Sequence, residues 1–254
     1  MGEIKMEKNK SSWLSASIIG VCIVISCAAI AFGMAHFRSE SNHIITATGS
    51  ANVDFESDII IWRGSFSSDA DTSREAYNKI KKDAELVRKY LTDNNIDESE
   101  IVFNSVDIAR TYRDIYDDEG NYKGCEPDGY RLTQNVTVTS SNLDNVEKIS
   151  REISTLLDQG VELTSESPEY YYSGLDALKL DLIDKASLNA KERIDIIAKN
   201  SGAKLGKLKN SSLGVFQITA KNSGTGSYSY DGAFDTSSRN KTATITVRLE
   251  YDLK

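Results

Sequence analysis

Hydrophobic and polar positions follow two different patterns along this chain, and the change falls near residue 40. Residues 13–37, WLSASIIGVCIVISCAAIAFGMAHF, contain no Asp, Glu, Lys or Arg. A helix of about 22 residues spans roughly 33 Å, close to the hydrocarbon thickness of a bilayer. The segment therefore predicts a transmembrane helix. Beyond it, apolar residues come in short spaced sets. Residues 43–55 (HIITATGSANVDF) and 58–66 (DIIIWRGSF) read as two strands. Thr72-x-x-Glu75 fits a capping box, and Ala76, Ile80, Ala84, Val87 and Leu91 recur at helical spacing behind it. Residues 101–116 and 122–140 read as the strands of a hairpin whose tip, Asp117 to Asn121, has turn composition.

The later elements follow the same logic. A second helix over 143–158 carries Val146, Ile149, Ile153 and Leu156 as its stripe and closes at Gly160. Residues 161–166 read as a short strand. A third, longer helix opens at a Ser173-x-x-Asp176 cap and lays Leu178, Leu182, Ala186, Ala190, Ile194 and Ile197 along one side. Gly202 ends it. Residues 205–220 read as one strand and 221–240 as a loop. In the closing strand, Ala243, Ile245, Val247, Leu249 and Tyr251 alternate with Thr and charged residues, as in an antiparallel sheet with one wet face. The order ββαββ then αβαββ predicts an α+β fold, with three helices packed on largely antiparallel sheets and one transmembrane helix ahead of them.

The flanks orient the apolar segment. Residues 1–12 hold Lys5, Lys8 and Lys10 against Glu3 and Glu7, which predicts a cytoplasmic tail; Trp13 at one end and His36, Phe37 and Arg38 at the other are interface residues. A retained signal-anchor over 13–37 would put everything from about residue 40 outside. Two alternatives stay open. The run could be a signal peptide, cut at Ala29-Ile30-Ala31 or Gly33-Met34-Ala35, giving a secreted or periplasmic form. It could also be a lipoprotein signal at Cys27, although more apolar residues follow that cysteine where a polar tether is expected.

Composition removes several function classes. The net charge of -8 offers no basic face for nucleic acid. Cys22 and Cys27 lie in the apolar run and Cys125 is alone beyond it, so the outer part holds no internal disulfide. The two histidines are His36 and His43, which leaves the rest of the chain without Ser-His-Asp or Cys-His catalysis and without a histidine metal site.

Residues 201–208, SGAKLGKL, approach a phosphate-binding loop but do not match it. Three residues separate Gly202 from Gly206 where four are needed, and Leu208 replaces Ser or Thr. The segment also leaves a helix, whose carbonyl end repels anions, where a phosphate loop enters one. Helix cap and turn is the better reading. With the helix before it, ALKLDLIDKASLNAKERIDIIAKNSGAKLGKL resembles the hallmark helix and Gly-x-x-Leu-Gly turn of the SIMPL-domain family of bacterial envelope proteins. Three further segments resemble the family in order. They are Ile45 to Ala51, Tyr90-Leu91 with Asn95 to Ile101, and Gly129-Tyr130 with Asn135 to Val138. Ser57-Asp58 stands where the family usually has Pro-Asp. The resemblance covers about residues 44–252. It implies an exported or membrane-anchored protein that self-associates, in some members into rings, with a loose link to envelope or oxidative stress. It implies no catalytic, cofactor-binding or metal residues to carry over, and no cofactor.

Two readings of function result. The first is a non-enzymatic, membrane-anchored, extracytoplasmic domain over 44–254 that works by homo-oligomerisation or contact with an envelope protein partner. The second is a small-ligand or Ca²⁺-binding protein, or a hydrolase, using the acidic hairpin Asp114, Asp117, Asp118, Glu119, Glu126 and Asp128. Tyr170, Tyr171 and Tyr172, with Tyr228 and Tyr230, are a candidate contact surface whose simpler role is strand packing.

Overall fold

The computed structural model describes residues 17–34, 44–224 and 229–254. Helix α1, Ser17–Met34, has a mean hydropathy of 2.4 and none of it is buried, so by length and composition it can cross a membrane. The expected tail, Trp13, residues 36–38, both histidines and Tyr228 lie outside the described residues. The remaining elements run β1 (Ile44–Glu56), β2 (Ile59–Ala70), α2 (Ser73–Asp93), β3 (Ile101–Phe103), β4 (Asp107–Tyr116), β5 (Tyr122–Ser140), α3 (Leu143–Glu152), β6 (Glu162–Ser165), β7 (Glu169–Tyr171), α4 (Leu175–Ser201), β8 (Leu205–Leu213), β9 (Gln217–Ala220) and β10 (Asn240–Leu253). One sheet has the order β1-β10-β8, with β9 also on β10; the other has the order β3-β5-β2-β6, with β4 on β5 and β7 on β2. The fold is α+β, and each pairing of known direction between its named strands is antiparallel.

The expected elements differ from the observed ones at their joints. Residues 101–116 form two strands because the pairing with β5 slips by one residue between Phe103↔Val136 and Asp107↔Thr133, just after the Asn104 N–H bonds the Asn135 carbonyl. Residues 205–220 break where the Gly214 N–H bonds to the Thr246 carbonyl. β7 was unexpected; its Ile60↔Tyr170 pairing converts the tyrosine run into sheet. The second helix is α-helical only to Glu152 and tightens to a 3₁₀ turn over Ile153–Gln159. Side chains three apart eclipse in that geometry, which keeps Ile153 and Leu156 both buried. On α4 the last buried position is Ala198, while the expected Ile197 is about half exposed. Ser173 does not cap α4. Its N–H and hydroxyl both donate to Asp58 instead, the N–H at 2.7 Å.

The chain divides into two compact units, the larger comprising residues 47–193 and 211–249. Its main core joins β2, β5, α2 and α3 through Ile60, Trp62, Phe66, Ile80, Val87, Leu91, Leu132, Val136, Val146 and Ile149. The Thr72 hydroxyl accepts from the Glu75 N–H (3.3 Å), the N-cap half of the expected box; the Glu75 carboxylate takes that same hydroxyl (3.0 Å) where the box would have it take the Thr72 backbone N–H. Trp62 is fully buried, and its indole N–H donates to Ser165 Oγ (2.9 Å), which donates to the Ser150 carbonyl (2.7 Å). That relay satisfies the polar end of a buried aromatic. α4 lies so close to β1 that a Cβ on Gly49 would fall 2.2 Å from the Ala190 nitrogen and 2.3 Å from the Ala186 oxygen. The small residues on both sides are what permit this approach.

The smaller unit takes residues 194–210 and 250–254, with those up to 46. Here SGAKLGKL resolves into a helix cap. Gly202 is left-handed (φ 70), its N–H donates to the Lys199 carbonyl, and the Ala203 N–H donates to the Ala198 carbonyl. This paired bonding satisfies the last carbonyls of a helix and offers nothing to a phosphate.

Candidate functional site

The most exposed described part of the larger unit is the hairpin arm of β4 and the first half of β5. β4 is exposed at nine of its ten positions. Its partner shifts register twice. Thr111 faces Gly129 and Tyr112 faces Pro127, so Asp128 is extra; Ile115 faces Gly124 and Tyr116 faces Tyr122, so Lys123 is extra. Both bulges therefore sit on β5, and β4 itself is a regular ten-residue strand. Among the described residues it pairs only with β5. Its free edge carries no proline or bulge; of the devices that usually blunt an open edge it has only charges, at Asp107, Arg110, Arg113 and Asp114.

The acidic residues of the arm do not converge. Arg113 takes Glu126 (2.5 Å) and reaches Asp128 (3.8 Å), and Lys123 takes Asp117 (3.2 Å). Asp117 also accepts the backbone N–H groups of Asn121 (2.8 Å) and Glu119 (3.1 Å). These bonds, that from Asn121 first, hold its carboxyl below the ordinary range. The turn is thus closed by its own aspartate. No group of three or more His, Cys, Asp or Glu is placed to hold a metal ion among the described residues. Cys125 is exposed and is not in a disulfide.

The tyrosines separate into individual roles. Tyr170 donates to Glu147 (3.1 Å) and Tyr171 to Glu169 (3.1 Å), both from β7. Tyr172 packs on Phe55, with ring centroids 5.0 Å apart. Tyr230 is 95% exposed and apart from them.

A polar cluster escaped the sequence reading. Lys241 is 2% exposed, and its Nζ donates to the carbonyls of Tyr170 (2.6 Å) and Asp235. Burial pushes its pKa down, against the charge of Asp235. Burial pushes Asp235 up, but hydrogen bonds from Ser237 and Ser238 prevail and leave it lowered. Gln217, also buried, accepts from the Ala233 N–H (2.6 Å) and donates to the Ser229 carbonyl (2.6 Å). Together Lys241 and Gln217 fasten residues 229–235, expected as plain loop, onto the sheet. Lys241 has the same parity as Ala243 and Ile245, and that is the signal that would have marked it as buried.

The groove nearby has its cations engaged within the chain. Beside the arm's base, Arg131 forks onto Asp69 (2.8 and 2.6 Å) and Lys79 reaches the Asp69 carbonyl (2.8 Å).

Comparison with known proteins matches residues 45–251 to the SIMPL family model, described as a protein of unknown function (DUF541). No curated protein matches the chain. The match spans the whole α+β body and includes the arm, the Gly49 contact and the Gly202 cap, and on it the chain belongs to the SIMPL family.

Proposed function

We propose that this chain is a membrane-anchored, extracytoplasmic SIMPL-domain protein that performs no catalysis. It acts in envelope or stress physiology by self-assembly or by contact with an envelope protein. One observation carries the reading: β4 presents an exposed, open strand edge, and among the described residues no group of three or more His, Cys, Asp or Glu is placed to hold a metal ion. An edge of this kind recognises another backbone through main-chain hydrogen bonds. The exposed apolar α1 supports tethering, and a tether raises the local concentration of whatever the arm meets.

The exposed Cys125 thiol gives a direct test. In intact cells carrying the chain with Cys22→Ser and Cys27→Ser, a membrane-impermeant maleimide is expected to label Cys125. Labelling only after lysis overturns the topology. Light scattering of the detergent-solubilised full chain tests assembly. A mass that stays monomeric as concentration rises removes self-assembly and leaves the partner protein.

A further inference from the structure

β4 reads Asp-Ile-Ala-Arg-Thr-Tyr-Arg-Asp-Ile-Tyr. Successive residues of a strand point to opposite faces, so Ile108, Arg110, Tyr112, Asp114 and Tyr116 share one face. That set is self-complementary about its middle. Apolar residues close both ends, a cation and an anion stand at equal distances from the centre, and a tyrosine occupies the centre. We infer that β4 pairs antiparallel with β4 of a second copy of this chain, about a two-fold axis through Tyr112. This deepens the self-assembly reading above and rests on it.

In that register Tyr112 meets Tyr112, Arg110 meets Asp114 twice, and Ile108 meets Tyr116 twice. Ile108, Tyr112 and Tyr116 are 63%, 58% and 58% exposed, so each has a face to bury. Arg110 bonds the Tyr130 hydroxyl (3.0 Å), lies over that ring at 5.5 Å and is drawn to Tyr112 beside it, and neither it nor Asp114 has an ion-pair partner among the described residues. On the opposite face, by contrast, Arg113 is already engaged with Glu126 and Asp128. The two charges that a second copy would use thus have no ion pair to give up. The register about Tyr112 is the one that sets Arg110 against Asp114: an axis through Thr111 sets Arg110 against Tyr112 and Asp114 against Ile108, and one through Arg113 sets Arg113 against itself. At the ends Asp107 meets Asp117, whose charge Lys123 already offsets at 3.2 Å. Both strands are free of bulges, so the ladder runs uninterrupted. A two-fold contact of this kind closes on itself and yields a dimer.

The test uses the full chain in detergent with Cys22, Cys27 and Cys125 replaced by serine. Tyr112→Cys places two thiols directly opposite, within disulfide reach for either kind of antiparallel pair. Mild oxidation is expected to give a covalent dimer. Ile108→Cys alone is expected to give none, and a mixture of Ile108→Cys with Tyr116→Cys chains is expected to give a mixed dimer. Arg110→Asp alone, or Asp114→Arg alone, should weaken dimerisation by about tenfold. The double variant should restore it, although it still lacks the Arg110–Tyr130 contact. An assembly that neither cross-links at 112 nor responds to the charge reversals overturns the strand pairing and leaves self-assembly standing. A chain that is monomeric at every concentration overturns both.

Discussion

β5 is one strand in two environments. From Leu132 to Ser140 it lies between β2 and the short or arm strands on its other side, and Leu132, Val136 and Val138 are buried beneath the helices. From Tyr122 to Arg131 it is mostly exposed, with β4 along its length. Both halves have a backbone ladder. What the outer half lacks is a covering layer, and a lone two-stranded ribbon is marginal in water. Strand pairing therefore sets the shape of the arm, while packing sets the stability of the body. The arm is free to change at little cost to the fold, which is the freedom a contact surface needs.

Two edge-to-face aromatic pairs put this to a matched test. Phe66 meets Phe103 in the core at 6.3 Å, and Tyr116 meets Tyr122 on the arm at 5.9 Å. Phe66→Ala is expected to lower stability by about 3–5 kcal/mol in urea unfolding of the solubilised chain. A loss under 1 kcal/mol would mean the body is not the stable half. Gly49→Ala comes next, at about 1–3 kcal/mol, since α4 must move away from the added Cβ.

Acid should act on the body through its paired carboxyls. Arg63 holds Glu169 below the usual range, and Arg131 does the same for Asp69. A carboxyl lowered on folding contributes stability that is whole above its unfolded value, about 4, and fades as pH falls through the folded value. Unfolding midpoints should hold from about pH 6 to 5 and drop below about 4. Glu169→Gln should make that drop shallower, and an unchanged slope would count against the Arg63 pair.

The last two effects are small. Ser57 is 4% exposed and its Oγ is buried with no hydrogen-bond partner among the described residues. Ser57→Ala should therefore be neutral or stabilising by up to about 1 kcal/mol; a clear loss would reveal a bond to that hydroxyl. Tyr116→Ala closes the comparison with Phe66. It should move stability by less than about 0.5 kcal/mol, and a core-sized loss would erase the distinction between arm and body.

Much of the body was legible because its signals are local. Thr72 and Glu75 announced α2, and the spacing of Ala76, Ile80, Val87 and Leu91 named its buried face. Along α4 the pattern is less clear at the end. The buried line advances four residues at each step to Ala198, and the more hydrophobic Ile197 drew the prediction away from it. β7 escaped because three residues carry no period; only pairing with β2 makes them a strand. The hairpin and its tip were visible, but the arm's exposure was not. Ile108, Tyr112 and Tyr116 alternate as half-buried strand residues do, and only the absence of a covering helix distinguishes them. The symmetry of β4 was in the sequence throughout, yet it gained meaning only once that edge was seen to be open.

Trp62 and Trp13 are the only tryptophans in the chain. With Trp13 changed to Phe, Trp62 becomes a single intrinsic fluorophore, sealed from solvent and fixed by its bond to Ser165. Its blue-shifted emission would then report on the integrity of the β2 layer and stay silent to events on the arm. One optical channel would follow the melting of the body while assembly is followed independently.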